Sequence, residues 1–205
     1  MDAESFWDKN AEKYAKSAVR DEAVYQEKLK ITRGYLTPES RVLEFGCGTG
    51  TTALHHAPYA GEIMGTDISS AMIEIARNKA KQSGADNVRF EQATFENFDG
   101  EAGSFDVVLA LNLLHLLPDP AGAINKAYDL LKPGGVFVTG TACLGDVILS
   151  PWRIVIPVMR LFGKAPPVTY LKRKQLMADF LTAGFTVDHE MPAKKGQAAF
   201  IVLRK

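Results

Sequence analysis

The sequence predicts an α/β protein: a three-layer, doubly wound sheet of seven strands, mostly parallel, with the last strand antiparallel. Three observations carry that prediction. Strand-like and helix-like segments alternate from residue 41 to residue 139, the pattern of a parallel sheet covered on both faces. The strand segments read as apolar runs, such as Phe105-Asp106-Val107-Val108-Leu109-Ala110-Leu111, as strands buried on both sides require. The first run, Arg41-Val42-Leu43-Glu44-Phe45, passes straight into Gly46-Cys47-Gly48-Thr49-Gly50. A strand, a tight turn and a helix start in that order form a nucleotide-binding edge in open α/β sheets.

The elements follow in order. Residues 4–33 carry helical spacing, with Phe6, Trp7, Ala11, Tyr14, Ala15 and Ala18 recurring at threes and fours. Asp21 is placed to cap a second helix through Val24, Tyr25, Leu29 and Ile31, ending near Gly34. Pro38-Glu39-Ser40 breaks the chain before the first strand. After Gly50 a helix is expected to Tyr59. Glu62–Asp67 is a second strand that ends on an acid. A helix from Ser69 or Ser70 buries Met72, Ile73, Ile75 and Ala76 and stops at Gly84. Val88–Glu91 and Phe105–Leu111 are the third and fourth strands. A helix over Ala121–Leu131 leads through Lys132-Pro133-Gly134-Gly135 into a fifth strand, Val136–Thr139. A helix from Gln175 to Ala183 precedes Phe185–Asp188 and Ala198–Leu203, which a short turn at Met191–Gln197 makes antiparallel. One domain over 1–205 is expected. It divides into a helical cap (1–37), a cofactor-binding core (38–140), a substrate lid (141–175), and a final helix with its hairpin (176–205).

Bulk properties bound the function. The 205 residues carry a formal net charge of zero, so no overall field draws nucleic acid, and no nucleic-acid partner is expected. The two cysteines, Cys47 and Cys143, suit a reducing compartment better than a disulfide framework, because one sits in the glycine turn. Met1-Asp2-Ala3-Glu4 is acidic and does not read as a signal peptide. No apolar run is long enough to span a bilayer. A cytoplasmic protein is expected, monomeric or homodimeric, without stable membrane insertion.

Three nucleotide readings compete for the glycine turn. A phosphate loop is excluded because no Lys follows in the required place. A dinucleotide fingerprint needs a third glycine where Thr51 stands. What remains is Glu44-x-Gly46-x-Gly48-x-Gly50, with Asp67 at the end of the next strand. A carboxylate there suits a ribose diol, and dehydrogenases share that feature.

These residues resemble the class I S-adenosylmethionine-dependent methyltransferases, especially the small-molecule, quinone-methyltransferase-like group. Val42–Gly50 resembles the family's first motif, and Gly65-Thr66-Asp67-Ile68-Ser69-Ser70-Ala71-Met72 its second. Phe105–Val108 with Leu111-Asn112-Leu113-Leu114-His115 resembles the fourth-strand motif, and Leu130–Gly135 the turn before the fifth strand. Phe6-Trp7-Asp8 with Ala11 and Tyr14 is similar to the group's N-terminal helix. The resemblance implies a Rossmann-like fold and S-adenosylmethionine as cofactor. It implies that Gly46, Cys47 and Gly48 face the methionyl part, that Glu44 holds its amine, and that Asp67 binds the ribose. It places Ile68 and Met72 beside the adenine, Leu111 and Asn112 beside the sulfonium, and Tyr14 over the cofactor. Ala93 and Thr94 stand where many members have Asp-Ala; with no carboxylate at Ala93, Thr94 or backbone atoms must serve the adenine.

His115 follows the fourth strand and is the candidate general base, since its ordinary pKa suits proton transfer near neutrality. The competing reading packs it within Leu111–Leu117. His55 and His56 are adjacent on a helix and point apart, and no metal-ligand spacing is present. Cys47 lacks a base partner, and Cys143 reads as packing.

Residues 147–162 are too apolar for a plain loop and are interrupted by Pro151, Pro157, Arg153 and Arg160. One reading is a helical lid over an acceptor pocket, with Trp152, Met159 and Phe162 as walls. Others are a helix completing the core, a dimer interface, or peripheral contact with a membrane. The sequence therefore supports methyl transfer to a small, apolar or aromatic acceptor. A non-catalytic cofactor-binding protein and a nicotinamide-dependent reductase stand as alternatives.

Overall fold

The computed structural model describes residues 2–19, 21–146, 152–191 and 198–205, with the backbone alone at 152–154. Chain order runs α1 (Ala3–Ala15), α2 (Glu22–Arg33), β1 (Arg41–Phe45), α3 (Thr51–His56), β2 (Glu62–Asp67), α4 (Ser70–Ser83) and β3 (Val88–Gln92). It continues with β4 (Phe105–Leu111), α5 (Pro120–Leu130), β5 (Leu131–Thr141), α6 (Trp152–Leu161), α7 (Arg173–Thr182), β6 (Thr186–Met191) and β7 (Ala199–Arg204).

Among the described residues the strands form one sheet in the order β3-β2-β1-β4-β5-β7-β6. β1 pairs in parallel with β2 and β4, β2 with β3, and β4 with β5. β7 runs antiparallel to both β5 and β6. The expected seven-stranded, mostly parallel sheet is the one observed. The strand order turns back between β1 and β4, and a crevice opens there at the carboxyl ends of the strands.

Side chains alternate between two cores. Leu43, Phe45, Val108 and Phe137 pack with Leu176, Phe180 and Phe185 on one face. Val42, Ile63, Val107, Leu109 and Val138 pack with Ala53, Ile73 and Ala76 on the other. Local signals set the helix ends. Asp21 accepts from the Val24 amide, Ser69 from Met72 and Asp119 from Gly122, satisfying first-turn donors. Gly84 closes α4 in a left-handed conformation.

Some boundaries differ from expectation. α1 ends at Ala15, before Ala18, and the Ser17 hydroxyl folds back onto the Lys13 carbonyl. α3 stops at His56 and a 3-10 turn continues through Tyr59, because Pro58 has no N–H for an α-helical bond. β5 begins at Leu131, opposite Phe105, and the register shifts before Val107. The expected turn over Met191–Gln197 falls mostly on residues 192–197, outside the described residues. No described helix is long and apolar enough to cross a membrane.

Candidate functional site

The site grows from the end of β1. Gly46, Gly48 and Gly50 all take positive φ, at 65°, 54° and 74°. Two are locked by space as well as torsion. A Cβ on Gly46 would stand 2.7 Å from Leu113 Cδ1, and one on Gly50 would stand 2.5 Å from Phe90 Cζ. The turn is tied to β2. The Cys47 amide donates to the Thr66 carbonyl at 2.9 Å, and the Gly48 amide donates to Asp67 Oδ2 at 2.9 Å. The other oxygen, Asp67 Oδ1, accepts from the Ser69 amide at 2.9 Å. Burial raises the Asp67 pKa, and these amides offset only part of that rise. The N-terminal helix is pinned on the same side, because Ser69 Oγ donates to Asp8 Oδ1 at 2.6 Å.

Glu44 is the exception in an apolar sheet face. Its register partners are Gly65 and Leu109, and the same face of β1 and β4 carries buried Val42 and Val107. Glu44 is 3% exposed. Its Oε2 has no hydrogen-bond partner among the described residues. Burial, then the negative charge of Asp67, pushes its pKa up to about 8. A lone carboxylate oxygen in such a place is costly unless a donor or cation meets it.

Asn112, just past β4, has φ 58°, a left-handed conformation that asparagine tolerates better than most residues. Its amide donates to the Gly140 carbonyl at 2.7 Å. Strain of this kind marks functional positions.

Two cavities meet at this point. The smaller, about 290 Å³, is lined by Asp67, Ile68, Met72, Ala93 and Thr94. The larger, about 720 Å³, is lined by Glu44, Cys47 and residues of α2. Tyr14, Gly46, Leu111 and Asn112 belong to both walls. The residues expected at a cofactor therefore collect around one crevice, and Gly48 contributes its amide to Asp67. Burial is the main cause that raises the Tyr14 pKa, with Glu44 and Asp67 adding to it.

The structure does not bring the remaining expected residues there. His115 lines neither cavity, and burial holds its pKa down to about 4. Its Nδ1 is buried without a hydrogen-bond partner among the described residues. Met159 is half-buried and lines neither cavity, and Phe162 is 74% exposed. From the expected lid, Pro167 reaches the smaller cavity instead. The Trp152 side chain lies outside the described residues. The Cys47 thiol is pushed well up by burial and is not a thiolate.

Other wall residues were not among the expected site residues. Glu96 and Trp7 line the smaller cavity; Glu96 supplies a carboxylate three positions after Ala93. In the larger cavity, α2 presents Tyr25, whose hydroxyl lies 3.2 Å from Thr52 Oγ1, and Lys28, whose Nζ stands 5.7 Å from the centre of the Phe200 ring. The helical spacing of Tyr25 and Lys28 was legible, but not the surface against which α2 docks.

Comparison with known proteins gives this crevice a context. A family model described as a methyltransferase domain matches residues 36–160. An uncharacterized methyltransferase of Bacillus subtilis, YcgJ, is 36% identical over 142 residues, 67% of this chain and 54% of the relative. Its crystal structure superposes with a TM-score of 0.70 over 87% of this chain and 95% of the other, at 21% identity. A ubiquinone biosynthesis O-methyltransferase of Pasteurella multocida is 33% identical over 126 residues, covering 57% of this chain and 50% of the relative. The chain thus spans about half the length of the curated relatives it matches. A Streptomyces coelicolor geranyl diphosphate C-methyltransferase, solved with Mg2+, geranyl diphosphate and S-adenosyl-L-homocysteine, shares the fold. Its TM-score is 0.72 over 89% of this chain and 78% of the other, at 14% identity.

Proposed function

The chain belongs to the S-adenosylmethionine-dependent methyltransferase family, and from that premise we propose that it transfers a methyl group to a small, apolar or aromatic acceptor. One observation carries the reading: two cavities of different character share the wall of Tyr14, Gly46, Leu111 and Asn112. Such a junction suits a donor that spans it, its adenosyl end among Asp67, Ile68 and Met72 in the smaller cavity and its methionyl end against Glu44 in the larger, with an acceptor in the rest of the larger cavity.

The residues present fit the cofactor. The lone Glu44 Oε2 suits a methionyl ammonium, and the positive-φ turn lets a ligand touch backbone at Gly46 and Gly48. Asp67 would take the ribose hydroxyls with its remaining lone pairs. Ile68, Met72, Ala93 and Thr94 would border the adenine, with Glu96 standing in for the missing carboxylate at Ala93 and Trp7 beside it. When bound, S-adenosylmethionine supplies a methyl already activated by positive sulfur, with a neutral thioether as leaving group.

The protein's part is orientation. Holding donor and acceptor in line contributes up to roughly 7–11 kcal/mol of the barrier. Tyr14, Val24, Tyr25, Leu29 and Leu111 give the larger cavity an apolar and aromatic wall. With His115 outside the lining of both cavities, the reading favours an acceptor atom that is nucleophilic without a histidine base. The test is transfer of labelled methyl from S-adenosylmethionine to a panel of phenols, quinols and carboxylic acids. A labelled product supports the proposal. Cofactor binding with no product across the panel turns the reading to a non-catalytic binding protein.

A further inference from the structure

The described chain leaves the core at Gly145 and returns at Leu171, and the Gly145 amide donates to the Leu171 carbonyl at 2.7 Å. A Cβ on Gly145 would lie 2.5 Å from the Tyr170 carbonyl oxygen, so only glycine closes this base. Thr169 anchors the return, its amide donating to the His115 carbonyl at 2.7 Å and its hydroxyl to the Leu117 carbonyl at 2.6 Å. α6 stands on the excursion between.

α6 turns apolar side chains outward. Val155 is 37% exposed, Val158 48%, Leu161 85% and Phe162 74%. Positions 155, 158 and 162 follow the three-and-four spacing of a single helix face, with 161 beside them. The helix end is well formed. The Lys164 amide donates to the Met159 carbonyl at 2.8 Å and the Gly163 amide to the Arg160 carbonyl at 3.0 Å, with Gly163 at φ 64°. This turn usually brings an apolar residue to cover the last turn of the helix. Here that position is Lys164, so a cation sits beside an uncovered apolar tip.

The surrounding sequence is one-sided in charge. From Val147 to Ala178 there is no Asp or Glu, yet Arg153, Arg160, Lys164, Lys172, Arg173 and Lys174 all fall within it, in a chain of zero net charge. Arg173 is engaged by Glu190; Arg160, Lys164, Lys172 and Lys174 are exposed and have no ion pair among the described residues.

We propose that the outer face of α6 docks on an anionic phospholipid surface, with Val155, Val158, Leu161 and Phe162 entering the headgroup boundary and Arg160 and Lys164 meeting lipid phosphates. A short helix with an apolar face and flanking Lys and Arg lies in the interface plane rather than crossing it. Charge argues against a second copy as the occupant, because a two-fold contact on this face would bring together two basic segments with no Asp or Glu between Val147 and Ala178 to pair their cations. Docking there would hold the excursion, and Pro167 on the wall of the smaller cavity, at the membrane surface. The inference goes beyond methyl transfer and does not depend on it.

The test is co-sedimentation of the whole protein with phosphatidylglycerol/phosphatidylcholine vesicles and with phosphatidylcholine vesicles. Neither cofactor nor acceptor is needed, so failure here leaves the methyl-transfer reading untouched. The expected result is binding to the anionic vesicles only, weakened by salt, and at least about tenfold weaker for Leu161→Asp and for Lys164→Glu. Both side chains are solvent-exposed, and an unchanged thermal melt establishes that the variants fold. Absence of binding to anionic vesicles, equal binding to both vesicle types, or indifference to Leu161→Asp would each overturn the proposal. So would a dimer in light scattering that Leu161→Asp dissociates.

Discussion

The Gly48 amide donates to Asp67 Oδ2 at 2.9 Å, which makes the turn after β1 and the acid ending β2 one structural unit. The same carboxylate that orders the backbone is the one proposed to take the ribose hydroxyls. Asp67→Ala is therefore expected to weaken S-adenosylhomocysteine binding by at least about tenfold, since hydrogen bonds to a charged group contribute about 1.5–3 kcal/mol. Calorimetric titration reads the change, and an unaltered affinity would remove Asp67 from the ribose role.

The proposed contact of Glu44 with the methionyl ammonium would link cofactor binding to pH. Its folded pKa of about 8 lies above the ordinary 4.5. Its contribution to apo-protein stability is thus fully present below about pH 4.5 and is lost as pH rises through 8. A cationic amine favours the carboxylate form, so affinity is expected to rise with pH up to about 8, with proton release on binding below it. Calorimetry in buffers of different ionisation enthalpy measures that proton. Glu44→Gln should abolish the release and raise the apo melting temperature more at pH 8 than at pH 5.

His56 governs the acid side. It is fully buried, with both ring nitrogens unpartnered among the described residues. Burial first, then Arg33 and His55, hold its pKa down to about 4 from 6.5. The unfolded chain binds the proton first, so stability present above about pH 6.5 is lost as pH falls toward 4. Thermal melts of His56→Leu over that range are expected to lose part of the acid slope; a slope equal to that of the parent protein would contradict this account.

Glu96 is the only acid on the smaller cavity besides Asp67 among the described lining residues. If it receives the adenine amino group, Glu96→Ala should weaken S-adenosylhomocysteine several-fold while barely affecting S-inosylhomocysteine, which lacks that group. Equal losses for the two ligands would assign Glu96 a general structural role.

What was legible in the sequence followed from local chemistry. Gly46, Gly50 and Asp67 are dictated by backbone torsion, steric space and strand end, all of which a short stretch encodes. The mostly parallel seven-stranded sheet followed from apolar runs alternating with capped helices. For His115 the sequence left two readings open, base or packing, and the structure sets it outside both cavities, with its carbonyl held by the Thr169 amide more than fifty residues downstream. Glu96 and Lys28 were missed for a related reason: helical or loop spacing says which residues share a face, and docking decides what that face looks at. α6 was legible as unusual, and its direction became readable only when Val158 and Leu161 were found turned to solvent.

The central claim is that the crevice between β1 and β4 holds a sulfonium cofactor. Calorimetric titration of the protein with S-adenosylhomocysteine and, separately, with NADH tests it most directly. The account predicts saturable one-to-one binding of S-adenosylhomocysteine and none of NADH. Binding of NADH without binding of S-adenosylhomocysteine would contradict it.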